Sequence, residues 1–356
     1  MKDIIRESAD AARVSGTDEE HSGARRDFIK SSLAGLAAAV TWPGREGQAV
    51  AQEGARAGAA PARRVMVRTD ADVDALLPRI TNWGRWGKDD QLGTLNFITP
   101  RHRRRAAALV RTGRTVSLAR EVSVSRTEGI RRGTYEMMRD EGASRDFVGM
   151  IFHGFAQTHL DALCHIFDGR GKMYNGFSAE EVTPHGANKL GVEVMAARGI
   201  AGRGVLLDIA RVKGGALQIG TPIFPEDLEA AERAQGVRVG EGDILFVRTG
   251  AGALNGRERR AGLHAQCVPW VHARKIALLG GDGDSDVAPS PGFERWASTF
   301  HSVGIPYMGL PLIDNAELDA LGRACSEERR WAFFLTVAPW RFQGTTSSPV
   351  NPLALF

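Results

Sequence analysis

Five short apolar runs constrain this chain most: Thr115 to Leu118, Phe147 to Phe152, Gly204 to Ile209, Ile244 to Thr249 and Ile276 to Gly280. Their length and their β-branched or aromatic side chains predict strands. Helical patterns lie around and between them. Ala71 to Leu77 predicts a short helix, and Asn82-Trp83-Gly84-Arg85-Trp86-Gly87 a tight aromatic loop. Arg101 to Val110 predicts a helix with Thr99 as its N-cap, Pro100 at its first position and Gly113 closing it. Glu226 to Gln235 and Gly292 to Ser302 are further helical patterns. Strands and helices mix along the chain without internal repeats or a polar linker, which predicts a single α/β domain over residues 71–356.

An apolar fraction of 43% in 356 residues is ample for a full-sized core. The net charge of +4 comes from scattered arginines, which argues against a nucleic-acid partner. The cluster Arg101-His102-Arg103-Arg104-Arg105 reads as a solvated helix face. Cys164, Cys267 and Cys325 are too few and too widely spaced for a zinc ribbon or a disulfide framework.

Near the N-terminus, Arg25-Arg26-Asp27-Phe28-Ile29-Lys30, the apolar run Ser31 to Val40 and the small-residue pattern Ala49-Val50-Ala51 resemble a bacterial twin-arginine signal. That reading makes residues 1–51 a signal peptide and 52–70 a loose leader. It places the mature protein in the periplasm or outside the cell, with the twin-arginine translocon as a partner during export. The apolar run is too short to span a bilayer, so no membrane association is expected of the mature form.

Several chemistries lack their motif. The glycines at Gly199, Gly202 and Gly204 do not form a phosphate-binding loop, so a nicotinamide cofactor is not expected. Gly-x-Ser-x-Gly is absent, which removes a nucleophile-elbow serine hydrolase. Asp282-Gly283-Asp284-Ser285-Asp286 fails as a calcium loop, having Val287 at the sixth position and Phe293 at the twelfth.

The stretch Thr158-His159-Leu160-Asp161-Ala162-Leu163-Cys164-His165 does carry chemistry. On a strand, His159 and Asp161 point to one face and aim a nitrogen and an oxygen at one spot. Zinc and manganese accept that mixed donor set. His165 lies close enough to serve as a third ligand or a proton acceptor.

This block resembles the core of the H-x-G-T-H-x-D-x-P-x-H signature of the cyclase family of metal hydrolases, which includes bacterial kynurenine formamidase and isatin hydrolase. Trp83 to Gly87, Leu92-Gly93-Thr94-Leu95-Asn96, Met173 to Gly176, Arg203 to Asp208 and Gly344 to Pro352 are similar to a longer, exported branch of it. The resemblance implies the family's swivelling β/β/α fold, a mixed sheet with flanking helices. It implies His159 and Asp161 as ligands of a divalent metal, zinc or manganese, with His301 and Asp314 completing the set and Asp replacing the usual Glu. It implies His165 as the catalytic proton acceptor. It also implies a homodimer or homotetramer.

The chain departs from the signature at Phe155, where the first His falls, at Gln157 for the Gly and at Leu163 for the Pro. Phe155 cannot bind a metal, so a single ion is expected, unless His153, on the same strand face, or Gln157 substitutes. His153, Phe155 and Gln157 would line the substrate pocket, with Trp83 and Trp86 as an aromatic floor. His153, His185, His264 and His272 read otherwise as structural or pocket-lining residues, and Asp282 as at most a helper. His301 would end a helix, and Asp314 could alternatively begin the helix Asn315 to Gly322 as an N-terminal charge.

The expected activity is that of a metal-dependent amidohydrolase like kynurenine formamidase. A small-molecule amide, cyclic amide or imide, or lactone would be hydrolysed by hydroxide delivered at the ion, with His165 as general base. The alternatives are an exported metal- or ligand-binding protein without catalysis and a metal-dependent dehydratase or cyclase.

Overall fold

The computed structural model describes residues 65–122, 134–140, 142–252, 256 and 258–356. The twin-arginine segment lies outside them.

Nine strands form one mixed sheet. In chain order they are β1 (Thr115–Ser117), β2 (His159–Asp161), β3 (Ile200–Asp208), β4 (Ile244–Arg248), β5 (Leu278–Gly281), β6 (Leu312–Asp314), β7 (Ala332–Val337), β8 (Ser347–Pro349) and β9 (Leu353–Leu355). Their spatial order is β1-β9-β7-β3-β4-β5-β6-β2-β8. The middle four, β3 to β6, run parallel to one another, and every other pairing is antiparallel. Parallel strands buried on both faces need apolar residues throughout. Val205, Leu206 and Leu207 of β3 and Ile244, Leu245 and Phe246 of β4 meet that need with no exposed surface.

Helices α1 (Asp70–Ile80), α2 (Pro100–Ala107), α3 (Pro225–Gln235), α4 (Val268–Arg274) and α5 (Asp319–Glu327) accompany the sheet. Thr99 caps α2 with Pro100 at its first position, as its sequence predicts, and Thr69 forms a capping box with Asp72 on α1. No helix among the described residues is long and apolar enough to cross a membrane.

Three segments differ from the sequence expectation. The strand expected over Phe147 to Phe152 is Ala143–Gly149, which pairs with Thr134–Asp140 as a separate ribbon outside the main sheet. Of the helix expected over Gly292 to Ser302, residues 292–298 are turns and bends, with Asp70 of α1 accepting the backbone N–H groups of Glu294, Arg295 and Trp296, and helical structure starts only at Thr299. A nine-residue π-helix, Phe300–Met308, then follows, so His301 stands near the start of a helix and not at the end of one. The helix expected at Asn315 begins instead at Asp319, and Asp314 ends strand β6 rather than starting a helix.

The C-terminal end of the π-helix is clamped by the Gly93-Thr94 segment. Thr94 N–H and Oγ1 both donate to the Gly309 carbonyl, at 2.8 and 3.1 Å, and Oγ1 also reaches the Ala277 carbonyl at 2.8 Å. Gly93 has φ +59 and leaves no room for a Cβ against the Gly309 carbonyl. Gly93→Ala should therefore combine left-handed strain with overpacking and lower stability by about 2–4 kcal/mol. Urea denaturation at unchanged m value measures this, and a loss below about 0.5 kcal/mol would contradict the clamp.

Candidate metal centre

Strand β2 carries His159 and Asp161 on one face of the sheet. Its register sets His159 opposite Asp314 of β6 and Asp161 opposite Leu312 on one side and Ser347 on the other. Asp314 stands at the carboxyl end of a parallel strand, the edge where open α/β sheets present their ligand sites.

The Asp161 carboxylate is the hub. It is 1% exposed, and neither of its oxygens accepts a hydrogen bond. Around Oδ1 stand His153 Nδ1 at 3.4 Å and His159 Nε2 at 3.6 Å. Near Oδ2 are His301 Nε2 at 3.6 Å and His165 Nε2 at 3.9 Å. His301 Nε2 also lies 3.3 Å from Asp314 Oδ2. The donors thus form two sets that share Asp161: His153 and His159 on one side, His301 and Asp314 on the other.

The donor chemistry fits a divalent cation. Two atoms bound at about 2.0–2.2 Å to one tetrahedral ion lie about 3.3–3.6 Å apart, which is the spacing of His153 and His159 from Asp161 and of His301 from Asp161 and Asp314. Asp161 Oδ1 and Oδ2, Asp314 Oδ1 and His153 Nδ1 are buried without a hydrogen-bond partner. Buried polar atoms are nearly always paired, so unpaired ones converging on one spot mark a place for a cation. At 3.9 Å from the hub, His165 falls outside this spacing.

The imidazoles are aimed by their other nitrogens. His159 Nδ1 donates to the Gln157 carbonyl at 2.9 Å, which leaves Nε2 facing the hub. That carbonyl is held in turn by Asn315 Nδ2 at 3.1 Å. His153 Nε2 meets Thr346 Oγ1 at 3.2 Å. His301 Nδ1 meets Asp286 Oδ2 at 2.8 Å.

Charge reinforces the arrangement. Burial pushes the Asp161 carboxyl upward, but His165, His153, His301 and His159 together hold it well below the usual range. For His301 burial works downward, yet the Asp284 and Asp314 charges, the adjacent Asp161 carboxylate and the hydrogen bond it makes to Asp286 lift it well above an ordinary imidazole. His165 goes the other way: burial, with His153, His301 and His159 outweighing Asp161, lowers it to about 4. Burial raises Asp284 to about 6 against the pull of His301. Burial also lifts the Cys164 thiol to about 12, so this neighbour of His165 is no thiolate nucleophile near neutral pH.

The other candidates lie as follows. Residues 150–157 form no strand, so His153 reaches the hub from a loop and not through strand alternation with Phe155. Its ring stacks on His165 at 4.2 Å. The Phe155 ring lies under the Arg260 guanidinium at 5.7 Å, and its carbonyl accepts from Arg120. Gln157 is buried and serves the site through its carbonyl. Trp83 stacks on Tyr307 and lines a cleft of about 510 Å³ with Trp296, Arg170 and Arg295, which shares no lining residue with the hub. Trp86 packs edge-on against Phe97. Of the remaining histidines, His264 packs between Phe224 and Phe293, and His185 is exposed. Asp282 is spent on Thr249 and Gly250.

Sequence reasoning passed over Asp284 and Asp286, which form a third group with His301. Their alternation directly after β5 was the available signal.

Residues 148–285 match a family model described as "Putative cyclase". A crystal structure described as a novel cyclase is 30% identical and covers 78% of this chain and all of its own, with TM-score 0.70. Isatin hydrolase A from Labrenzia aggregata, bound to benzyl benzoate, is 19% identical, covers 70% of this chain and 94% of its own, and has TM-score 0.50. Isatin hydrolase A from Ralstonia solanacearum, at 18% identity, covers 68% and 91% with TM-score 0.50. No curated protein matches the sequence. These last two likenesses concern the fold, while the cyclase structure shares sequence as well over its whole length, and this chain belongs to that cyclase family.

Proposed function

We propose that this protein is a metal-dependent hydrolase that opens an acyl bond to nitrogen or oxygen in a small amide, cyclic amide or imide, or lactone. The observation that carries the reading is the Asp161 carboxylate, buried and bare of hydrogen bonds among the nitrogens of His153, His159 and His301. Family membership and the isatin hydrolase fold support the same class. Asp161 would hold zinc or manganese with His301 and Asp314 on one side and with His159 and His153 on the other, where His153 supplies the imidazole that Phe155 does not.

When bound, a divalent cation supplies Lewis acidity at the scissile carbonyl and acidifies a neighbouring water. His165 takes and returns the proton. It stands beyond ligand spacing from Asp161, is partly open to solvent, and its lowered pKa leaves the ring unprotonated and able to accept at neutral pH. His153, stacked on it, limits its swing. Export by the twin-arginine route and assembly into a homodimer or homotetramer are part of the proposal.

His165→Ala should lower turnover by about 10²–10⁴-fold while metal content stays at the wild-type value. A screen of N-formyl arylamines, cyclic imides and lactones supplies the substrate. Unchanged turnover would point to a metal- or ligand-binding protein that does not use this base.

The two imidazoles predict opposite pH behaviour. A raised His301 pKa means the metal-free ring is protonated near neutrality, so loading the cation must expel a proton and affinity must fall as pH falls. The depressed His165 should not titrate in that window. Calorimetric zinc titrations in two buffers of different ionisation enthalpy should differ by the released proton. Equal heats would contradict the assignment of His301.

A further inference from the structure

Asp286 lies in the loop after β5 and is 1% exposed. The loop is held apart from the π-helix: Asp286 N–H donates to Asp284 Oδ1 at 2.9 Å, and its carbonyl accepts from Arg260 Nε at 2.9 Å. Arg260 in turn sits 3.2 Å from Asp284 Oδ2. From this anchored position the Asp286 carboxylate receives three donors at the start of the π-helix. Phe300 N–H reaches Oδ1 at 2.7 Å, His301 N–H reaches Oδ2 at 3.2 Å, and His301 Nδ1 reaches the same oxygen at 2.8 Å.

We propose that Asp286 is the positioning residue of the metal centre, fixing both the place of His301 and which of its ring nitrogens is offered to the cation. The inference rests on the metal-site reading above. An ionised carboxylate has no hydrogen to give, so a ring nitrogen bonded to it must carry the proton. Nδ1 therefore carries a hydrogen, and Nε2, which faces Asp161 and Asp314, is the nitrogen whose lone pair becomes free for the cation when the ring gives up its second proton. The two backbone contacts seat the first turn of the π-helix on the same carboxylate, so ring orientation and helix position are set by one side chain. Asp284 does not share this role: it stands 3.6 Å from His301 Nδ1 and bonds the Asp286 N–H instead.

Asp286→Asn tests this with almost no change of shape. The amide keeps one acceptor for Phe300 and presents an N–H₂ group to His301. That favours the tautomer protonated at Nε2, whose ligand lone pair is lost to the cation. Zinc affinity, read by competition with a chromophoric chelator, should weaken by about 10–100-fold. Thermal melting of the metal-free variant checks that it folds. Asp286→Glu restores two acceptor oxygens and should recover part of the lost affinity, which a purely structural role would not predict.

Long-range ¹H–¹⁵N spectra of the zinc-loaded wild type give a reading independent of any variant, and the His301 proton should be on Nδ1. A proton on Nε2, or an Asp286→Asn affinity within about threefold of wild type, would overturn the proposal. If the wild type binds no zinc, the metal reading itself fails, which is distinguishable from a wild type that binds and a variant that binds equally.

Discussion

A carboxylate taken out of water and given no hydrogen bond is among the costliest groups a fold can hold, unless opposite charge surrounds it. Asp161 is in that state, with imidazole nitrogens near both oxygens and Asp314 a further acid close by. The imidazoles make the pocket tolerable without making it satisfied. A bound dication would answer Asp161 Oδ1 and Oδ2 and Asp314 Oδ1 together, which is why the architecture around Asp161 reads as a binding site and not as an ordinary buried network.

The rest of the fold serves to bring these donors together from distant parts of the chain. β2 enters the sheet antiparallel to β6 and so sets His159 across from Asp314. The π-helix delivers His301 from a third direction, held at its start by Asp286 and at its end by the Gly93-Thr94 clamp on Gly309. A π-helix is a rare arrangement that is frequent at functional sites, and here it is pinned at both ends.

Much of this is legible in the sequence, and for physical reasons. The central stretches of β3, β4 and β5 are apolar because both of their faces are covered, so Val205 to Leu207 and its counterparts stand out. His159 and Asp161 follow from period two. The Gly292 to Ser302 segment misleads because Phe293, Trp296 and Phe300 have helical spacing and are indeed buried, while the backbone between them is held in turns against Asp70. His153 is named from a strand alternation with Phe155 that does not exist, because residues 150–157 form a loop with no periodicity to read. Asp286 is obscured because its partner His301 is fifteen residues further on, and no local pattern links a carboxylate to an imidazole at that distance.

Anomalous scattering at the zinc edge from crystals of the zinc-loaded protein tests the central claim most directly. The account predicts a peak about 2.0–2.2 Å from both an Asp161 oxygen and His301 Nε2. Zinc bound only elsewhere, with the Asp161 carboxylate instead hydrogen-bonded to protein or water, would contradict it.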